Sequence, residues 1–314
     1  MTASEIPVRT NLAVLGVLAA LNLVLLVALP FLLAQSGWWA LLLVPIVLST
    51  TPMWSLIHEG IHGNLHPDAG INERLARATC IAFGSPFQLL RLGHLMHHRF
   101  NRSELNRPEI AEPATARERL RYYVLLLGGL WIGEFLASVL AMLPDRFYRQ
   151  IILLGFGDET PDGKSMWAAA KRQLLEEPGR TKMRLDGAAI TLIYLAAFVH
   201  YGAWWWVLVL ALYGRALMIS FLDNAYHYAN PLNEPMAGHN LALPGWLSRG
   251  MLHYNFHAVH HARPQAPWSA LPEVFSRDGH RYGDDFAPAA LRQLRGPLEE
   301  GGYEARSSHL PRGA

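Results

Sequence analysis

Long apolar runs alternate along this chain with short stretches rich in histidine or arginine, and the runs alone set out most of the elements. From Asn11 to Gln35 no Asp, Glu, Lys or Arg interrupts the pattern. At about 1.5 Å per residue such a run crosses a hydrocarbon core of about 30 Å, and it exceeds the roughly 7–15-residue core of a cleaved signal peptide. It reads as a retained span, 11–35. A second run, 38–57, follows the uncharged break Gln35-Ser36-Gly37, which predicts a membrane hairpin with both ends on one side. Asp186 to Asp223 is longer than one span needs. Its middle, His200-Tyr201-Gly202-Ala203-Trp204-Trp205-Trp206, predicts a turn between helices over 186–202 and 203–222. Trp38, Trp39 and the triple Trp suit a membrane–water interface, where an indole buries its ring and keeps its N–H wet. Both tips therefore belong on the non-cytoplasmic side.

The loops agree with that orientation. Arginines from Arg99 to Arg121, and the Arg and Lys residues between Pro144 and Arg184, make both segments cytoplasmic by the positive-inside rule. The apolar stretch 122–143 has such segments at both ends, so a single crossing would break parity. With Glu134 and the pair Gly128-Gly129 inside it, it reads as interfacial or re-entrant. Residues 271–314, weakly periodic, are expected to form a cytoplasmic cap with a disordered end. The expected fold is an all-α membrane protein, a single domain over 1–314. It has four transmembrane helices in two hairpins, cytoplasmic N- and C-termini, and a cytoplasmic helical cap around a histidine-rich dinuclear metal site.

Composition narrows the class. Of 314 residues, 51% are hydrophobic and 17% charged, a balance suited to a membrane protein rather than a soluble domain. The formal charge of +2 gives no basic excess for nucleic acid. Cys80 stands alone, so neither an intramolecular disulfide nor a thiolate metal site is available.

The candidate chemistry lies in the histidines. His58-Glu59-Gly60-Ile61-His62 closes the second span, and its i, i+4 spacing stacks two imidazoles on one helical face. His94-Leu95-Met96-His97-His98 and His257-Ala258-Val259-His260-His261 each repeat H-x-x-H-H, expected to converge on one face. His227 lies four residues beyond Asp223, where it can enter the same space. These nine exceed what one ion takes and suit two. Imidazole alone does not name the metal. A cluster just outside two apolar hairpins faces substrates that reside in lipid, and their unactivated C–H bonds demand a redox-active ion, which favours iron. His66 and His253, each four residues from a ligand candidate, are outer-shell or substrate-contact candidates. His200, His239, His280 and His309 read as ordinary structural or surface residues. Arg215, inside the last span, reads as a structural partner of Asp223 or Glu134, with a contact to a substrate carboxylate as the alternative.

The segments HEGIHGNLHP, HLMHHRFNRSE and NFHAVHHARPQAPWSALP, in this order and spacing, resemble the three histidine boxes of the integral-membrane fatty acid desaturases and their hydroxylase, ketolase and decarboxylase relatives. The resemblance covers most of the chain. It implies a di-iron centre held by the nine histidines, O2 as co-substrate, and a lipid or fatty acyl substrate. Glu59, Asp223 and Asn224 become candidates for orienting imidazoles or a bound water. The third box begins with His257, where some members have Gln. With no fused cytochrome b5 domain or ferredoxin-like cysteine set, electrons are expected from a separate ferredoxin or cytochrome b5 type donor. Desaturation is the expected outcome, with hydroxylation, ketone formation or alkene-forming decarboxylation open on the same scaffold. Two rivals come from other classes. One is an intramembrane zinc protease using His58, Glu59 and His62 with Asp186 as third ligand, which leaves the other histidines unexplained. The other is a metal-binding or transport protein, whose ionisable groups should lie within the spans rather than beyond their ends.

Overall fold

The computed structural model describes residues 6–157 and 160–300; His309 and the end of the tail, expected to be disordered, lie outside them. Among the described residues, four helical segments are long and apolar enough to cross a membrane: α1 (Val8–Gln35), α2 (Gly37–His62), Ala116–Leu140 and Gly179–Asn224. The first two form the expected hairpin, with Ser36 as the extended residue between them. The second span runs past its expected end at residue 57, through the first histidine cluster, and stops at Gly63. That residue adopts φ +83, a left-handed cap that glycine takes without a Cβ penalty.

Two amphipathic helices follow, α3 (Ala69–Phe83) and α4 (Phe87–Phe100). Asp68 caps α3 by accepting from the Ile71 N–H. Helix α3 lies close against α2: a Cβ on Gly60 would come within 2.6 Å of the Ala76 Cβ. The third apolar segment, α5 (Ala116–Leu140), begins earlier than the expected 122–143. It breaks at Leu127 and Gly128, where Gly128 has φ +120. The break falls on Gly128 of the glycine pair, because a φ of +120 is open to glycine and rarely to other residues; a Cβ there would also stand 3.2 Å from the Ala216 Cβ. Helix α6 (Asp145–Phe156) and α7 (Pro161–Ala170) connect to the second hairpin, α8 (Gly179–Tyr201) and α9 (Trp205–Asn224). The turn at Gly202-Ala203-Trp204 lies where the sequence placed it, with Gly202 at φ +49.

Helices α2 and α9 run side by side in the same direction. Gly37 faces Trp204 near their starts and Gly214 faces Val47 midway. Hence both deliver their last residues, His62 and Asn224, to one end of the bundle. Leu12, Val17, Leu23, Val27 and Phe31 of α1, with Leu192, Leu195 and Val199 of α8, stay exposed, as suits contact with lipid. At the histidine-bearing end, β1 (Leu241–Ala242) pairs in parallel with β2 (Asp284–Asp285), bringing the later helices together. These are α10 (Gly245–Gly250), α11 (His257–Ala262), α12 (Leu271–Arg277) and α13 (Phe286–Arg292). Gln293, fully buried, donates to the Phe221 carbonyl and ties this layer to the end of α9.

Candidate metal centre

All nine histidines singled out from the sequence meet at the end of the bundle, in two groups. His58, His62, His94, His98 and His260 form one; His97, His227, His257 and His261 form the other. Within each group the candidate ligand atoms lie within 4.8 Å of one another. The two H-x-x-H-H boxes do not each serve one group, as the one-face expectation had it. His94 and His98 enter the first while His97 enters the second; His257 and His261 enter the second while His260 enters the first. On an α-helix i and i+4 differ by about 40°, whereas i+3 and i+4 diverge by about 100°, so the middle histidine of each box points elsewhere.

The contacts between rings are not ordinary hydrogen bonds. His94 Nε2 lies 2.8 Å from His62 Nε2 and 3.0 Å from His98 Nε2, and His98 Nε2 lies 2.9 Å from His260 Nε2. In the second group His257 Nε2 lies 2.8 Å from His227 Nε2 and 3.2 Å from His261 Nε2, which is itself 3.2 Å from His97 Nε2. A ring nitrogen offers one proton or one lone pair, so it cannot satisfy two such neighbours at once. His58 Nε2 is buried with no hydrogen-bond partner. Convergence of this kind fits a cation shared by each group.

The charge state fits as well. Burial pushes His94, His227, His257, His260 and His261 well below the ordinary histidine value, with further lowering by neighbouring imidazoles. His98 is brought down to about 3 by the same burial. Burial also lowers His97, although Asn106 pulls it the other way. Neutral imidazoles are the form that binds transition metals.

The surrounding residues orient the rings. His97 Nδ1 lies 2.7 Å from Asn106 Oδ1, and His261 Nδ1 lies 3.3 Å from the Pro235 carbonyl. Both acceptors place the proton on Nδ1 and leave the Nε2 lone pair facing the group. Asn101 donates to the carbonyls of Pro235 and Ala237, holding that loop in place. Glu59 Oε1 stands 3.7 Å from His58 Nδ1, while its Oε2 accepts from the Trp268 N–H at 3.0 Å. The Trp268 indole in turn donates to Asn11 Oδ1, so the motif after the third box fastens the first box and α1. Asp223 accepts from the Tyr254 hydroxyl at 2.7 Å, and Trp54 donates to that hydroxyl at 3.0 Å. The Tyr254 ring lies 5.3 Å from His58 and 5.1 Å from His257, between the two groups. Asn106, Trp54, Tyr254 and Trp268 were not singled out from the sequence. Only Trp268 carried a signal, its place in the Pro-Trp continuation of box three.

Other candidates sit elsewhere. Asn224 donates to Gln293 Oε1 and holds no imidazole. His66 Nδ1 accepts from the Asp68 N–H in a local turn. His253 faces Ser248 Oγ at 2.9 Å and packs against Trp268, outside both groups. His200 and His239 meet backbone carbonyls, of Val27 and Tyr228, and His280 stacks on Phe275. Arg215 pairs with neither Asp223 nor Glu134. It is buried, donating to the Ala82 and Phe83 carbonyls, Tyr194 Oη and Asn22 Oδ1. The third ligand of the protease reading is likewise taken: Asp186 is paired with Arg77 at 2.6 Å and belongs to neither histidine group.

Beside the histidines lies a cavity of about 470 Å3, bordered by His94, His97, His227, Trp54 and Asp223 at one side and by Leu130, Gly133 and Glu134 of α5 at another. That size falls within the roughly 300–1,000 Å3 of small-molecule sites. No curated protein matches this chain. The fatty acid desaturase family model matches residues 36–289, most of the sequence, and the chain belongs to that family.

Proposed function

From membership of the fatty acid desaturase family, we propose that this protein is a membrane di-iron oxidoreductase that uses O2 to desaturate a fatty acyl chain. The observation that carries the reading is the partition of nine converging imidazoles into groups of five and four beside an apolar-walled cavity. His58, His62, His94, His98 and His260 would hold one iron, and His97, His227, His257 and His261 the other. Imidazole suits iron, and five or four imidazoles would leave a six-coordinate ion at least one position for an exchangeable ligand. Bound there, the pair of ions supplies O2 activation and the oxidising power to remove hydrogen from a methylene.

The chain's own residues do the rest. The cavity walls hold the acyl chain extended past the histidines, which selects the reacting carbon by position rather than by its chemistry. Leu89, Leu90, Leu130 and Phe156 keep the wall apolar and exclude water from the oxidant. Asn106 and the Pro235 carbonyl fix two rings of the second group, and Glu59, pinned by Trp268, stands behind His58 in the first. Electrons come from a separate ferredoxin or cytochrome b5 type protein.

Metal analysis of detergent-purified protein, coupled to lipid and volatile-product profiling of expressing cells, tests the reading. About two irons per chain with a new unsaturated lipid are expected, two being the number that nine histidines suit. A hydroxylated or terminal-alkene product would reassign the outcome within the family. Zinc alone, with unchanged lipids, would overturn it.

A further inference from the structure

The cavity beside the histidines contains a polar feature that hydrogen abstraction does not use. Glu134 lines it from α5, inside a segment apolar enough to cross a membrane. An ionisable group at such a position is costly and commonly faces a substrate path. Its hydrogen-bond partner among the described residues is Ser85, whose Oγ donates to Oε2 at 3.2 Å; none is found for Oε1. Ser85 sits in the turn after α3. Arg215 braces the same turn through the carbonyls of Ala82 and Phe83, so the carboxyl is held on a fixed backbone.

The rest of the lining defines what Glu134 can receive. Arg102 is the lining cation, and its guanidinium is already engaged by Glu109 and by the carbonyls of Asn230 and Pro231. The other lining acid, Asp223, is engaged by Tyr254. A free carboxylate entering this cavity therefore meets two acidic side chains and no uncommitted cation. A neutral hydrogen-bond donor meets a carboxyl with an open acceptor oxygen.

We propose that Glu134 is a specificity residue that accepts a hydrogen bond from the substrate. The substrate is then an acyl or alkyl chain bearing a neutral donor, an amide N–H or a hydroxyl, rather than a free fatty acid. This rests on the cavity being the substrate site of the proposed oxidation. The donor's anchorage at Glu134 sets how far along the chain the histidines reach, so it also contributes to the choice of carbon.

The test is competition binding to the detergent-purified holoenzyme by a fatty amide, a fatty alcohol, a methyl ester and a free acid of one chain length. Metal content is measured on the same samples. The amide and alcohol should bind up to about tenfold tighter than the ester and acid, the upper end of the fold-change of one hydrogen bond. Glu134→Leu should bring all four within about threefold of one another at unchanged metal content, at most about half of that energy. Glu134→Gln keeps an acceptor oxygen and should retain part of the preference. Tightest binding of the free acid, or a preference that survives in Glu134→Leu, would overturn the assignment. Binding needs neither O2 nor electrons. A preference seen in protein that carries zinc alone, from cells with unchanged lipids, therefore sinks the di-iron reading while upholding this one, and lost preference in iron-loaded protein does the reverse.

Discussion

His97 and His98 are consecutive residues of α4, yet their imidazoles enter different groups. His98 Nε2 lies 2.9 Å from His260 Nε2, and His97 Nε2 lies 3.2 Å from His261 Nε2. Box three mirrors this, so boxes two and three each reach into both groups, and ions bound there would interlock the two helices. Two ions held this way would cross-link α4 and α11.

Because of that partition, single substitutions should empty different positions. His98→Ala should lose the ion of the five-histidine group and His97→Ala that of the four-histidine group, each leaving about one ion per chain of the two that nine histidines suit. Metal analysis with Mössbauer spectroscopy would separate the two populations. If either variant kept both ions and full turnover, the ligand assignment would be wrong.

Asn106 offers a test that leaves all nine imidazoles in place. Without its side-chain oxygen at 2.7 Å, the His97 ring loses the acceptor that fixes its tautomer. Asn106→Ala should weaken metal binding by about 10–100-fold, the usual cost of removing such a partner. Equilibrium titration of the metal-free protein reads this directly, and Asn106→Asp, which retains an acceptor, should recover most of it.

The buried histidines also set a pH dependence. His94, His227, His257, His260 and His261 are neutral in the fold, with values well below the ordinary 6.5, and His98 is lowered to about 3, all through burial. Below 6.5 the unfolded chain binds more protons than the folded one, so stability rises with pH. Metal-free protein should therefore be at full stability above about pH 6.5 and lose it progressively toward about pH 3. Thermal unfolding in detergent across that range checks the sign; a melting temperature that rose on acidification would contradict the burial of neutral rings.

Arg215 should behave as a brace. Removing its guanidinium leaves Asn22 Oδ1 and the Phe83 carbonyl without that donor, at about 1–3 kcal/mol for each buried group left unsatisfied, while the Ala82 carbonyl keeps the Tyr194 hydroxyl. Arg215→Leu is expected to lower the melting temperature and to reduce turnover of an acid and its ester equally. A selective loss with the acid would instead give Arg215 a substrate contact.

Local patterns made much of this molecule legible. Apolar length gave the first hairpin and the division of the second, and the glycine pair in α5 lies where that helix breaks. The three boxes and His227 supply the nine histidines that meet at one end of the bundle. Composition and periodicity are properties of neighbouring residues, so a single sequence carries them in full.

What it does not carry is the outcome of packing between segments distant in the chain. Helical spacing states that His97 and His98 diverge by about 100°, but which group each meets depends on α11 arriving beside α4 from about 160 residues away. The partners of Arg215 and Asp186 were likewise decided by carbonyls and by Arg77 on other helices, since a buried charge takes whatever polar groups the fold brings near it. Asn106 and Tyr254 looked unremarkable as residues, and Glu134 stood out only as an acid inside an apolar segment. Only the folded structure set the first against His97, the second between the two histidine groups and the third on the cavity wall.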